Sequence, residues 1–175
     1  AGAPPWEVFL RYGRLGVEHI WSGVDHLFFV LGLLLLMDSL SSLVRTVTAF
    51  TMAHTFTLAL ATLGFLRVPP APVEAAIALS IVLVAVEAAR VARSEDRGTL
   101  ATQKPWLVAL IFGLMHGLGF AGALAEVGLP TDQVPLALLS FNVGVEIGQL
   151  SFIVIILAPV RFLARGPLWL RLVPS

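Results

Sequence analysis

All four histidines lie within stretches of sequence that are otherwise apolar, together with the carboxylates Asp25 and Glu146. The run LGVEHIWSGVDHLFFVLGLLLLM is long enough to cross a bilayer, yet within nine positions it contains Glu18, His19, Asp25 and His26. An ionisable group at the centre of a bilayer costs several kcal/mol, roughly 2.5–3.5 on insertion scales. Such groups inside an apolar run therefore indicate a functional site rather than a chance substitution.

The other polar groups fall at the same calculated depth. His54, His116 and Glu146 each lie 11 or 12 residues into an apolar run, as His26 does in the first. At ~1.5 Å per helical residue, each lies about 16–18 Å deep, near the middle of a ~30 Å hydrocarbon core. One buried histidine is often only a packing residue, but several at one depth favour a shared site.

The donor types point to a transition metal. The chain has no cysteine, so only nitrogen and oxygen ligands are available. Imidazole with carboxylate suits nickel, cobalt, zinc, copper(II) or iron(II). The predicted ligands are His19, Asp25, His26, His54, His116 and Glu146. The residues predicted to support them by hydrogen bonds are Ser22, Asn142 and Gln149. Whether each carboxylate binds the metal or orients an imidazole stays open.

Composition places these residues in a membrane protein. Of 175 residues, 58% are hydrophobic and 13% are charged, and the mean hydropathy is +0.92. Soluble domains carry about 25% charged residues. The net charge is zero, and no basic patch interleaved with aromatic residues suggests a nucleic-acid partner. The sequence therefore predicts an all-α, polytopic helical bundle surrounded by membrane lipids.

Five membrane-spanning helices are predicted, each at or above the ~20 residues needed to cross. They cover roughly residues 15–37, 43–66, 73–92, 105–125 and 134–160. We interpret residues 1–14 as an extracytoplasmic lead-in, 15–160 as the transmembrane bundle and 161–175 as a cytoplasmic or interfacial tail.

The orientation follows from the basic residues. With five alternating spans, three of the eleven Lys and Arg residues fall on the side of the N-terminus and eight on the other side. The positive-inside rule then predicts an external N-terminus and a cytoplasmic C-terminus in a bacterial-type inner membrane. The small residues of the AGAPPW start are what cleavage of a signal peptide would leave.

Glycines predict close helix packing. Gly113 and Gly117 are four residues apart, as are Gly144 and Gly148, which is the small-xxx-small spacing of tightly packed membrane helices. We expect the fourth and fifth spans to approach each other closely and to bring His116 towards Glu146.

At HIWSGVDHLFFVLGLLLL the chain resembles the HupE/UreJ family of membrane proteins. The resemblance rests on an H-x5-D-H signature formed by His19, Asp25 and His26. It continues through FTMAHTFTLALA, FGLMHGLGFAGAL and FNVGVEIGQL, and covers most of residues 11–157. The closest likeness is to the divergent second branch of the family. The resemblance implies handling of nickel or cobalt ions, as by a permease.

Two functions use the same residues. A permease would strip the water from a nickel, cobalt or zinc ion at the midplane site and pass it across. An intramembrane zinc hydrolase would use three histidines as ligands and Glu146 or Asp25 as general base. A protein that only binds metal is a third reading. Because five spans form a small pathway, the permease reading also leads us to expect a homo-oligomer.

Overall fold

A computed structural model describes residues 3–93, 98–127, 130 and 132–164, without the side chains at 121, 123, 125–127 and 160–164. The described residues form seven α-helices and no strand. The helices are α1 (Pro5–Ser22), α2 (Val24–Leu36), α3 (Leu40–Thr62), α4 (Pro70–Ala92), α5 (Leu100–Gln103), α6 (Pro105–Val127) and α7 (Val134–Ala164). The tail predicted at 161–175 lies outside the described residues from 165 onwards.

Prolines set several of the helix starts. α4 begins at Pro70 and α6 at Pro105. Proline suits the first helical turn because its fixed φ is already helical and its missing N–H has no partner there. After α3, Gly64 adopts a φ of +82°, a left-handed conformation that favours glycine. The last four predicted segments correspond to α3, α4, α6 and α7, and their ends agree with the structure to within a few residues.

The first predicted span is not one continuous helix, and this expectation was wrong. It is broken at Gly23, where α1 and α2 meet at an angle of 72°. Gly23 has an extended backbone (φ −85°, ψ 91°), and its N–H donates to the His19 carbonyl oxygen at 2.9 Å. A Cβ at this position would lie 2.8 Å from that oxygen and 2.9 Å from Nδ1 of His26. The break therefore depends on the absence of a side chain.

The described residues support a membrane protein with fewer clear spans than the sequence suggests. Two stretches, Pro70–Ala92 and Val134–Pro159, are long and apolar enough to cross a bilayer. The bent pair α1–α2 makes a third if it counts as one span, and in α6 the stretch Pro105–Phe120, where every side chain is described, is apolar but shorter. Within α3, Arg45, His54 and the threonines lower the hydropathy. Five spans therefore remain a prediction.

Glycine-mediated packing occurs, but with partners other than those expected. The most extensive helix contacts join α1 with α7 and α3 with α6. Gly144 of α7 packs on the backbone of Gly13 in α1, and Gly117 of α6 packs on the backbone of His54 in α3. The expectation that the glycine faces of spans four and five pack on each other was therefore wrong. Each uses its small face against another helix, and α6 thereby brings His116 to α3.

Two hydrophobic cores enclose the middle of the bundle. On α3, Leu58 belongs to one core and Phe50 to the other, with His54 midway between them. Ile20 of α1 and Phe29 of α2 are divided between the same two cores. The histidines near the α1–α2 break and in the middle of α3 consequently lie between two layers of packed apolar side chains.

Candidate metal centre

Three histidines from three helices meet in the interior. His19 lies near the end of α1, His26 in the first turn of α2, and His54 in the middle of α3. One ring nitrogen from each lies within 4.8 Å of the others. The rings of His19 and His26 have centroids 4.6 Å apart, with the two helices bent by 72° at Gly23 between them. These two residues converge through the bend and not through a shared helix face.

A fourth imidazole stands next to this group. The ring of His116 on α6 has its centroid 5.2 Å from that of His26, and the residue is only 2% exposed. Its position follows from the close contacts of Gly113 and Gly117 with the backbone of α3. We call His19, His26, His54 and His116 together the histidine cluster.

Hydrogen bonds fix the tautomers of two rings. Nδ1 of His116 lies 2.8 Å from the carbonyl oxygen of Phe112, which can only accept, so Nδ1 carries the proton. Nδ1 of His54 lies 3.1 Å from Oδ1 of Asn142, whose amide nitrogen donates to the carbonyl of Leu138 at 2.8 Å. Since the amide oxygen faces His54, Nδ1 must donate there as well. Both rings present a bare Nε2 lone pair.

The free nitrogens of the cluster are buried without partners. Among the described residues, no hydrogen-bond partner reaches Nε2 of His19, Nε2 of His54, Nε2 of His116 or either nitrogen of His26. Buried polar atoms in proteins are normally hydrogen-bonded, and each exception needs a reason. One nitrogen each from His19, His26 and His54 lies within 4.8 Å of the others, an arrangement that a shared cation would match.

The spacing fits one metal ion after a small adjustment. Three nitrogens at about 2.1 Å from one ion stand about 3.4–3.6 Å apart in tetrahedral or trigonal geometry. The nitrogens of His19, His26 and His54, within 4.8 Å of one another, therefore need to close by up to about 1.4 Å. A donor set of imidazoles without thiolate suits nickel, cobalt and zinc.

Aromatic rings surround the cluster. Phe120 lies 3.9 Å from the His19 ring between centroids, Phe50 lies 5.0 Å from His116, and Phe29 lies 5.7 Å from His116. Phe120 stacks on Phe141, which itself lies 5.5 Å from His19. An apolar shell of this kind limits the access of water and strengthens interactions between an ion and its ligands.

The two predicted carboxylates lie outside the group of three histidines. Asp25 is exposed in the first turn of α2. Glu146 is half-buried on α7 and accepts a 2.6 Å hydrogen bond at Oε1 from the hydroxyl of Thr48. The structure thus brings three nitrogen donors together without a carboxylate among them in the described residues.

The three predicted supporting residues differ in what they contact. Asn142 bonds to His54 directly. Gln149 accepts at Oε1 from the hydroxyl of Thr51 at 2.9 Å, and the hydroxyl of Ser22 donates to the carbonyl of Glu18 at 2.7 Å. Of the three, only Asn142 therefore bonds to a histidine ring in the described part of the chain, whereas Ser22 also reaches the backbone carbonyl of His19 at 3.4 Å.

Two residues of the site were missed in the sequence analysis. Gly23 sets the bend that joins His19 to His26, and its position between two histidines was the available signal. Thr48 bonds to Glu146, and its spacing from Thr51 and Thr55 places all three on one face of α3.

Comparison with known proteins gives one match. The family model described as "HupE / UreJ protein" matches residues 1–173. Neither the curated proteins nor the solved structures yielded a match to this chain. The family match spans nearly the whole sequence, including every helix described above and all four residues of the histidine cluster. The chain therefore belongs to the HupE/UreJ family.

Proposed function

We propose that this protein is a membrane permease for a divalent transition-metal ion of the nickel or cobalt type. Membership of the HupE/UreJ family implies a role related to nickel or cobalt, either accessory or in transport. The observation that carries the proposal is the histidine cluster, in which five of the eight ring nitrogens are buried without partners in the described chain. The metal ion is the cargo of the proposed permease.

The cluster supplies what selection of such an ion requires. Imidazole nitrogens replace water molecules of the hydrated ion, and they favour nickel, cobalt and zinc over magnesium and calcium. The tautomers of His54 and His116 already present Nε2, so less ordering is needed when an ion arrives. The phenylalanine shell separates the ion from solvent while the histidines hold it.

An intramembrane zinc hydrolase is less well supported. Three histidines with an open fourth position would suit a catalytic zinc. Hydrolysis also needs a general base near the metal, yet the group in the described residues contains no carboxylate. Oε1 of Glu146 is engaged by Thr48, and Asp25 is exposed. A permease needs no such base, so transport accounts better for the arrangement.

The proposal is tested in liposomes that contain the purified protein and a trapped metal-sensitive dye. We expect nickel or cobalt to enter with the wild type, and the flux to disappear in His26→Ala and His54→Ala. Ser80→Ala is the matched control, because Ser80 is buried on α4 and, among the described residues, its hydroxyl donates to the carbonyl of Ile77 in its own helix. Flux that is absent in the wild type, or unchanged in both histidine variants, would refute the permease.

A further inference from the structure

One face of α1 is charged along nearly its whole length. Four ionisable residues, exposed and spaced i, i+4, i+7 and i+11, share this side of the helix. They are Glu7, Arg11, Arg14 and Glu18, and we call them the charged stripe. The opposite side is buried, from Val8 at one end to Ile20 at the other. α1 is therefore amphipathic, unlike the apolar helices α4 and α7.

α1 lies beside α7 and runs in the same direction. Gly13 packs against Ser140 and Gly144, and Ile20 packs against Gly148, so residues later in α1 meet residues later in α7. Glu18 comes two residues before Ile20 and is therefore level with about residue 146 of α7.

This level is deep within the predicted bilayer. The stretch Val134–Pro159 of α7 is apolar and long enough to cross, and residue 146 lies 12 residues into it. At ~1.5 Å per residue this is ~18 Å, near the middle of a ~30 Å hydrocarbon core. Arg14 and Glu18 form an ion pair of 2.6 Å, and their side chains are 81% and 53% exposed. Two charged side chains thus face outwards from the protein at the depth of an apolar span.

Lipid does not suit the surface over the charged stripe. Ionisable side chains within a membrane face the interior of a bundle or a water-filled cavity, because contact with acyl chains costs several kcal/mol. Since Arg14 and Glu18 already neutralise each other, the pair has no net charge for a partner chain to complement. Water can solvate the exposed atoms of both side chains, so it is the covering that fits their chemistry.

The break between α1 and α2 follows at almost the same level. Non-helical backbone at membrane depth occurs only where it is buried in protein or lines a water-filled cavity. Gly23 is only half-buried, and its polar neighbours Ser22 and Asp25 are exposed. Water that reaches Glu18 would also solvate this backbone and the carboxylate of Asp25.

The charged stripe ends beside the histidine cluster. Glu18 directly precedes His19, which is half-buried, whereas the other three histidines are at most 7% exposed. Nε2 of His19 is buried and has no hydrogen-bond partner in the described part of the chain. Of its four histidines, the cluster therefore comes nearest to the surface at His19, where the stripe ends.

We propose that the charged stripe lines a water-filled vestibule, which opens on the extracytoplasmic side and leads the metal ion to His19. The predicted orientation places the start of α1, and hence the mouth of the vestibule, outside. With two acidic and two basic side chains, the stripe is neutral and does not repel a cation. The role in ion entry rests on the proposed function, whereas the presence of water along the stripe does not.

Cysteine labelling tests for water along the stripe, because the chain has no cysteine of its own. Maleimides react with the thiolate, which forms in water and not in lipid. We expect a membrane-impermeant maleimide to label Arg11→Cys and Glu18→Cys from outside in intact cells. Ile147→Cys is the matched control, because Ile147 is 54% exposed on α7 close to the level of Glu18. It lies on an apolar face and should be labelled only after the protein is unfolded.

The vestibule is refuted if Glu18→Cys stays unlabelled, or if it is labelled only after the membrane is broken. Equal labelling of Ile147→Cys would also refute it, because that level of the protein would then lie outside the bilayer. Ser22→Cys is exposed one turn further along α1 and leaves the ion pair intact, so it repeats the test should Glu18→Cys fail to fold.

The role in ion entry is tested by the rate at which cobalt(II) reaches the cluster of the purified protein, followed by its absorption. Reaction of Glu18→Cys with a bulky maleimide should remove most of the association rate. The same reaction at Phe65→Cys, between α3 and α4, should leave the rate unchanged. An unchanged rate in reacted Glu18→Cys would overturn the entry route. Failure of the proposed permease would differ, because cobalt would still bind through the vestibule while nickel flux in liposomes would be absent.

Discussion

Nδ1 of His54 donates a hydrogen bond to Oδ1 of Asn142, 3.1 Å away across the contact between α3 and α7. The amide nitrogen of Asn142 donates in turn to the carbonyl oxygen of Leu138 at 2.8 Å, which sets the orientation of the amide. Together the two bonds hold His54 in the tautomer whose Nε2 lone pair faces its neighbours. Asn142 therefore prepares His54 for a metal without contacting the metal itself.

Asn142→Leu tests this role, because leucine has a similar size and no acceptor. We expect nickel or cobalt affinity to fall by about 10–100-fold, the usual effect of removing a partner of a ligating histidine. Isothermal titration of the purified protein measures it. Ser151→Ala is the control on the same helix, since in the described chain Ser151 accepts from Trp21 and donates to the carbonyl of Gly148 in its own helix, away from the histidines. Equal affinity in Asn142→Leu and wild type would contradict the role of Asn142.

The bend at Gly23 gives a second prediction. An alanine Cβ there would lie 2.8 Å from the carbonyl oxygen of His19 and 2.9 Å from Nδ1 of His26, both too close for an unstrained contact. We expect Gly23→Ala to push the two histidines apart and to weaken metal binding while the helical circular dichroism is retained. Gly13→Ala on the same α1 helix is the control, because its Cβ would meet only Ser140 at 3.6 Å. Similar metal affinities in both variants would show that the bend does not position the ligands.

The close contact of α1 and α7 predicts that alanine substitutions at two glycines will differ in their effect on stability. A Cβ on Gly144 would collide with the backbone of Gly13, which cannot move aside as a side chain can. We expect Gly144→Ala to lower the free energy of unfolding by about 1–3 kcal/mol. A Cβ on Gly122 would have no atom within 4 Å. We therefore expect Gly122→Ala to raise the free energy of unfolding by less than about 1 kcal/mol, because alanine favours the helix more than glycine does. Unfolding midpoints in detergent compare the two, and equal midpoints would refute the packing.

The predicted orientation can be checked because the chain has no cysteine. Single cysteines at Phe65, between α3 and α4, and at Ser41, at the start of α3, would both be exposed. We expect a membrane-impermeant maleimide to label Phe65→Cys in intact cells and to label Ser41→Cys only after the membrane is broken. The reverse pattern would invert the topology, and labelling of both in intact cells would mean that α3 does not cross.

Local patterns in the sequence were enough to predict most helices. Pro70 and Pro105 each open a helix, and the change from polar to apolar residues marks the start of α7 at Val134. The helical class and the family follow from these patterns and from the H-x5-D-H signature. Local patterns could not show the break at Gly23, because glycine is common in membrane helices and the apolar run continues on both sides of it.

The sequence also could not predict which helices pack against each other. The glycine faces of α6 and α7 were recognised, but small-xxx-small spacing states that a helix packs closely and not against which helix. In the structure Gly117 packs against α3 and Gly144 packs against α1. The ring of His116 consequently lies beside that of His26, and Glu146 accepts a hydrogen bond from Thr48. The calculated depth placed all of these residues at one level, and only the three-dimensional packing separated the nitrogen donors from the carboxylates.

The most direct measurement is X-ray absorption spectroscopy of the cobalt- or nickel-loaded protein, beside His54→Ala and His116→Ala. We predict at least three imidazole nitrogens at about 2.0–2.2 Å from the metal in wild type, and a smaller number in His54→Ala. The His116→Ala spectrum shows whether the fourth ring is a ligand or a neighbour. A first shell of oxygen alone, or a nitrogen shell that both variants leave unchanged, would contradict a metal site at the histidine cluster.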